Sequence, residues 1–305
     1  MHSVELSIRG NTMNESMIKE GLRLITAGLE SGKKRNITPK EKEYLANDNE
    51  ILSTLNAYFP TLTFPIVLIS IRSGLHPTSN PTKDPSSHIN ECTTLIRSEF
   101  NGSLTYSCDS EILVFLPVTG NPGADEDKIK RLFVFLEKHG LRGGASRPIF
   151  DLEGFSAFHL QACKAWETGE SFEDNAPLYN YDNYAVYHLL EYGSTQHDLM
   201  TFCHTSIFIL AEYDASHRTD LLETLNVYLN CHCNAAEAAS MLYIHRNTMN
   251  YRLSKINELT NIDLDNTESF FHLLLSFHIL AYYSLTVSGD DNFKKHRNLH
   301  LTRPK

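Results

Sequence analysis

NAAEAASMLYIHRNTMNYRLSKI, residues 234–256, is the most informative stretch of this 305-residue chain. Its first half spells a short capped helix. Asn234 stands where an N-cap belongs, and Glu237 three residues on completes a capping box: the asparagine oxygen takes an orphan amide and the glutamate bonds back. Ala235, Ala238, Ala239 and Leu242 follow at i, i+3, i+4 and i+7, a narrow stripe built mostly of methyl groups that lets a second helix cross closely. That second helix opens at Arg246 after the three-residue turn Tyr243-Ile244-His245 and brings Met249, Leu253 and Ile256 to the same core.

Projected at about 100° per residue, the side opposite Met249 holds Asn247, Asn250, Tyr251 and Ser254, with Thr248 and Lys255 on one flank and Arg246 on the other. This face is polar and cationic. A helix of this kind, presented by a short preceding helix, fits the major groove of DNA, where Arg pairs with guanine and Asn with adenine. Arg246, Asn247, Asn250 and Tyr251 are therefore expected at base edges, and His245, Thr248, Arg252 and Lys255 at phosphates; Asn234 belongs to the same DNA-binding set. The plain alternative is the solvated side of an ordinary helix pair. The turn carries one strain: many helix-turn-helix units place glycine where this chain has Tyr243, and a non-glycine residue at positive φ costs about 1 kcal/mol. Packing is expected to hold that turn.

Charge distribution supports the nucleic-acid reading where the total does not. The net charge of -10 argues against phosphate binding. Yet residues 244–257 (Arg246, Arg252, Lys255) and 292–305 (Lys294, Lys295, Arg297, Arg303, Lys305) contain no acid and hold eight of the 27 basic residues, leaving 19 cations against 37 acids elsewhere. A frayed basic tail and a solvated helix face would give the same counts.

Working outward, residues 12–30 read as a helix with Ile18, Leu22, Ile25 and Leu29 at coiled-coil spacing, and residues 38–58 as a second helix opened by Thr38-Pro39. FPIVLISI, residues 64–71, is a buried strand; helices over 88–100, 125–139 and 156–167, a hairpin of strands 103–107 and 111–116, and strands 141–146 and 178–179 complete an order β, α, β, β, α, β, α, β. Such alternation predicts one sheet with helices packed on it. From residue 183 the pattern is helical only: 184–192, 197–213, 220–230, 234–242, 246–259 and 267–285. The expected division is an N-terminal helical segment (1–60), an α/β domain (61–182), an all-α domain (183–290) and a basic tail (291–305). No apolar run reaches about 18 residues, and residues 270–283 are interrupted by His272, Ser276 and His278, so no membrane span is expected. Six irregularly spaced cysteines and an opening without a basic, then apolar, leader imply a reduced cytoplasmic protein.

Residues 210–266 closely resemble the C-terminal helix-turn-helix domain of the purine-catabolism and sugar-diacid regulators (PucR/CdaR type), with the HRNT-x-x-YRL core at His245 to Leu253. In that family the position of Tyr243 is commonly not glycine, which eases the objection above. Residues 62–180 are similar in element order to the GGDEF-like domain that precedes this module, and RGGASRPIFDLEGFSAFHLQACKAWE, residues 142–167, looks like its final strand, loop and helix. The resemblance covers about residues 50–290. It implies a degenerate GGDEF-like α/β domain followed by a helix-turn-helix domain, and a bacterial-type, effector-responsive transcription regulator that acts as a homodimer on a double-stranded operator.

Other chemistries find less support. A working diguanylate cyclase needs a glycine-bearing hairpin and metal-holding carboxylates, whereas this hairpin reads Ser107-Cys108-Asp109-Ser110-Glu111 and the first strand, Ser70-Ile71-Arg72, has no acid. Arg142-Gly143-Gly144 reads as a phosphate cradle or a strand-end turn. Cys231-His232-Cys233 lacks a second ligand pair, and no nucleophile-base grouping appears. No enzyme, cofactor or metal is expected. A nucleotide- or metabolite-sensing protein whose helical domain contacts partners rather than DNA is the alternative reading.

Overall fold

The computed structural model describes residues 65–73, 85–108, 111–119, 122–150, 155–172 and 175–286, all within the compact unit Ile51–Lys305. The helices expected over 12–30 and 38–58 and the basic tail lie outside the described residues.

The first half is a five-stranded sheet. β1 (Ile66–Ser73) leads through α1 (Pro85–Glu99) to the hairpin β2 (Leu104–Cys108) and β3 (Glu111–Pro117), then through α2 (Pro122–Lys138) to β4 (Leu141–Ile149). The strand order is β2-β3-β1-β4-β5, with β1 antiparallel to both β3 (Ile69 opposite Val114) and β4 (Ile71 opposite Gly143). Two βαβ units interleaved in this way form the split βαβ plait of ferredoxin-like folds. A further helix, α3 (Phe155–Ser171), carries the chain to β5 (Leu178–Asn180), which pairs parallel to β4.

The uninterrupted apolar run of β1 follows from coverage on both faces. Val67, Ile69 and Ile71 point into a core with Ile96 of α1 and Leu132 and Leu136 of α2. Ile66 and Leu68 point the other way, toward Phe115, Ile149 and Phe155 of α3. Gly143 and Gly144 are neither a strand-end turn nor a phosphate cradle; they lie inside β4. A Cβ on Gly144 would sit 1.9 Å from the Ala162 carbonyl oxygen, and one on Gly143 2.4 Å from that of Ser70, so their role is close backbone approach.

The second half is helical: α4 (Tyr181–Ser194), a 3₁₀ turn (Leu199–Phe202), α5 (Thr205–His217), α6 (Leu221–Asn230), α7 (Ala235–Met241), α8 (Arg246–Thr260) and α9 (Thr267–Thr286). The single helix expected over 197–213 is broken at Cys203 and His204, both extended. Partners remote in sequence favour the break. Ser276 Oγ accepts the His204 N–H at 2.8 Å, Tyr283 Oη accepts the Leu199 N–H at 3.1 Å, and Asp198 caps the 3₁₀ turn through Met200 N. His204 Nδ1 then caps α5 by accepting from Ser206 N at 3.2 Å.

A shared core crosses from sheet to helices. Ala165 and Tyr179 pack with Tyr184, Tyr187, Leu190 and Ile279, and the buried Lys164 ammonium is paired with Glu191 at 2.8 Å and Glu167 at 3.4 Å. Asn180 both ends β5 and caps α4. α9 is long and apolar enough to cross a membrane by length and composition. One side of it, with Leu273, Phe277 and Ile279, is buried in the helical half, and most of its other residues are partly covered.

Candidate nucleic-acid interface

α6, α7 and α8 build one small core. Val227, Cys231, Ala238, Ala239 and Met249 are buried together, with Leu242, Ile244 and Leu253 packed against them, while Ile256 joins the neighbouring cluster of α5, α6 and α9. The alanine stripe therefore does what its small volume permits: α7 sits close against α6 and α8.

Asn234 Oδ1 accepts from Ala236 N at 3.1 Å and Glu237 N at 3.3 Å, so the side chain acts as an N-cap. The return half of the capping box is replaced. The Asn234 N–H donates to the Cys231 carbonyl at 2.9 Å, because His232 and Cys233 both adopt left-handed backbone (φ 50° and 60°) and fold the chain back on the end of α6. Cys231 and Cys233 lie on opposite sides of this turn: Cys231 Sγ is 3.3 Å from Met241 Sδ, whereas Cys233 packs into the α5–α6–α9 core.

The turn between α7 and α8 is held by packing only in part, and not by the packing of Tyr243. Tyr243 has φ 54° and its side chain is 97% exposed, so tyrosine packing contributes nothing to it. Backbone bonds hold it instead. Ile244 N donates to Ala239 O at 3.0 Å and Tyr243 N to Ser240 O at 3.1 Å, the paired bonds of a Schellman motif, and Ile244 completes it by packing in the small core. His245 then caps α8, its Nδ1 accepting from Asn247 N at 3.2 Å, which leaves Nε2 to carry the ring proton.

Along α8, Arg246, Asn247, Thr248, Asn250, Tyr251 and Ser254 are exposed, and Met249 and Ile256 are buried. The projected face is thus free of the rest of the described chain. Arg252 and Lys255 are half-buried and engaged. Arg252 Nη1 donates to Thr224 Oγ1 at 3.0 Å and Nη2 lies 3.4 Å from Asp220 Oδ2, tying α8 to α6. Lys255 Nζ is 2.8 Å from Glu258 Oε1 and 5.5 Å from the centre of the Tyr213 ring; the carboxylate holds its ammonium above the usual lysine range. Of the nine candidate DNA-binding residues, Asn234 and His245 are caps, Arg252 and Lys255 are braced, and Arg246, Asn247, Thr248, Asn250 and Tyr251 form one exposed strip. Sequence reasoning did not include Asp220 and Thr224, which orient Arg252. They lie 32 and 28 residues from it, without any motif to signal the contact.

A short positioning helix, a tight turn and a longer helix with an outward polar face make a helix-turn-helix. Residues 221–279, α6 through most of α9, match the PucR C-terminal helix-turn-helix domain. Three regulators of Bacillus subtilis (strain 168) share sequence with the chain: the proline-responsive transcriptional activator PutR (34% identity over 122 residues, 40% of this chain and 29% of that protein), the DNA-binding transcriptional activator AdeR (28% over 125 residues, 41% and 30%) and the purine catabolism regulatory protein (40% over 82 residues, 27% and 15%). The matched segments thus span less than a third of each relative. Among solved structures, a regulator of polyketide synthase expression from Bifidobacterium adolescentis aligns over 82% of this chain and 95% of its own, at 14% identity and a TM-score of 0.31.

Proposed function

We propose that this protein is a sequence-specific DNA-binding transcription regulator that inserts α8 into the major groove of its operator. The observation that carries the reading is the uncovered strip Arg246–Asn247–Asn250–Tyr251 on the second helix of a PucR-type helix-turn-helix. Guanidinium and amide groups on a helix N-terminal turn have the donor and acceptor pattern that base edges require. In this reading Arg246, Asn247, Asn250 and Tyr251 read bases, and His245 Nε2, Thr248, Arg252 and Lys255 contact phosphates. Asn234 sets the first helix against the backbone through its cap.

One recognition helix covers few base pairs, so the protein acts as a homodimer on two half-sites about one helical turn apart. The α/β half serves as a degenerate GGDEF-like domain that carries an effector response without catalysis, and the protein works in the cytoplasm. Selection of bound duplexes from a random pool by the purified chain tests this reading. The expected product is an inverted repeat with half-site centres about 10 base pairs, or a multiple of that, apart. Negligible affinity for every duplex at low salt would overturn it and assign the helical half to protein contacts.

A further inference from the structure

The α/β half contains a buried polar cluster that DNA binding does not use. Glu111 opens β3, while His159 and Cys163 stand four residues apart on one face of α3, over the sheet. His159 Nε2 is 3.3 Å from Glu111 Oε1 and Cys163 Sγ is 3.9 Å from the same oxygen; one donor atom from each residue lies within 4.8 Å of the others. Ser70 of β1 donates a short hydrogen bond to Glu111 Oε1, and its Oγ is 3.9 Å from Cys163 Sγ. His159 and Cys163 are 2% and 0% exposed. Helix–sheet packing alone would favour an apolar side chain at each of these positions, because a carboxylate, an imidazole and a thiol are all costly to desolvate together.

We infer that Glu111, His159 and Cys163 form a site for one Zn²⁺ ion, which clamps α3 to β1 and β3. Tetrahedral zinc with bonds of about 2.0–2.1 Å to N and O and about 2.3 Å to S spaces its donor atoms about 3.3 to 3.6 Å apart. The nitrogen–oxygen pair already has this spacing, the sulfur has to close on the oxygen by a few tenths of an ångström, and sulfur and nitrogen, which lie within 4.8 Å of each other, have to draw together by a rotamer adjustment of up to about 1 Å. Mixed sulfur, nitrogen and oxygen donors select zinc over magnesium or calcium. Binding forms the S–Zn bond as the Cys163 thiol proton leaves to solvent; the thiolate and carboxylate together neutralise the ion. Arg72 borders the cluster: its guanidinium stacks 4.8 Å from the centre of a Trp166 ring, and Nη2 is 3.9 Å from Cys163 Sγ.

The site is tested on the full chain, stripped with a chelator and titrated with Co²⁺ as the optical probe. The expected result is one equivalent of tetrahedral cobalt with a thiolate-to-cobalt charge-transfer band, displaced by Zn²⁺. Cys163→Ser abolishes that band, and Glu111→Gln and His159→Gln each weaken binding at least about tenfold. A Cys231→Ser/Cys233→Ser double variant, run alongside, keeps the band. X-ray absorption of zinc-loaded wild type requires no variant to fold and should give one sulfur at about 2.3 Å among lighter scatterers. Failure of the wild type to bind metal at stoichiometric concentration overturns the inference, as does a band that survives in Cys163→Ser or vanishes in the double variant.

Discussion

Arg246 and Lys255 both carry positive charge on α8, but they occupy different environments, and this separates their expected effects. Arg246 is exposed at the first turn. Its replacement by Ala should cost about 1–3 kcal/mol in binding the selected operator and should relax base preference at one position, read by comparing cognate and single-substitution duplexes. Lys255 sits half-buried beside Glu258. Lys255→Ala should weaken all sequences alike and reduce the salt slope by about one phosphate's worth; equal losses on every duplex for both variants would reject the assigned roles. Tyr243 provides a stability test. Its backbone is left-handed and its ring is almost fully in solvent, so Tyr243→Gly relieves about 1–2 kcal/mol of strain against about 0.4–1 kcal/mol of added chain entropy. The difference, about 0–1.6 kcal/mol, should raise the melting temperature by a few degrees at most. If it falls, the tyrosine ring supports the turn after all.

Helices and strands were legible wherever one period ran unbroken. The β1 run, the hairpin after Gly102 and the capped α7–α8 pair all appear within a few residues of their expected positions because their patterns are local. The break at Cys203 and His204 was not legible, since the hydroxyls that take the freed amides, Ser276 and Tyr283, lie 72 and 84 residues away. Gly143-Gly144 was misread for a related reason: glycine marks close approach as readily as it marks a turn, and only the packing of α3 on β4 distinguishes the two. Gly144→Ala drives a methyl group into the Ala162 carbonyl, which α3 cannot yield without leaving the sheet. A loss of about 3 kcal/mol or more is expected in chemical denaturation, whereas a change under about 1 kcal/mol would show that the helix slides freely.

Acid sensitivity belongs to the helical assembly as a unit. His278 is half-buried on α9 with its Nδ1 3.0 Å from Tyr187 Oη, and this partial burial pulls its pKa below the ordinary 6.5. Burial also lowers His204, with the neighbouring His272 ring adding to the effect. Both groups bind protons more readily unfolded than folded, so their contribution is complete above about pH 6.5 and is lost progressively as pH falls from there toward the depressed folded values. Melting temperature should therefore decline as the buffer is taken from pH 7 to about pH 5, and His278→Gln should flatten part of that decline. An unchanged slope in this variant would place the acid sensitivity elsewhere. Glu111 acts at lower pH. Despite its burial, its bonds to His159 and Ser70 hold the carboxyl below its ordinary value, so its contribution is lost as pH falls below about 4.5.

Periodicity and capping sufficed to read off the order of elements and the outward strip of α8, because both arise from neighbours within about two helical turns. Contacts between distant positions needed the folded chain: the strand order, the bracing of Arg252 by Asp220 and Thr224, the backbone bonds that hold Tyr243, and the meeting of Glu111 with His159 and Cys163 across 48 and 52 residues. A helical or strand pattern records which side of a segment avoids water. It carries no record of which other segment covers that side, and that choice rests on packing between surfaces that only the complete fold brings together.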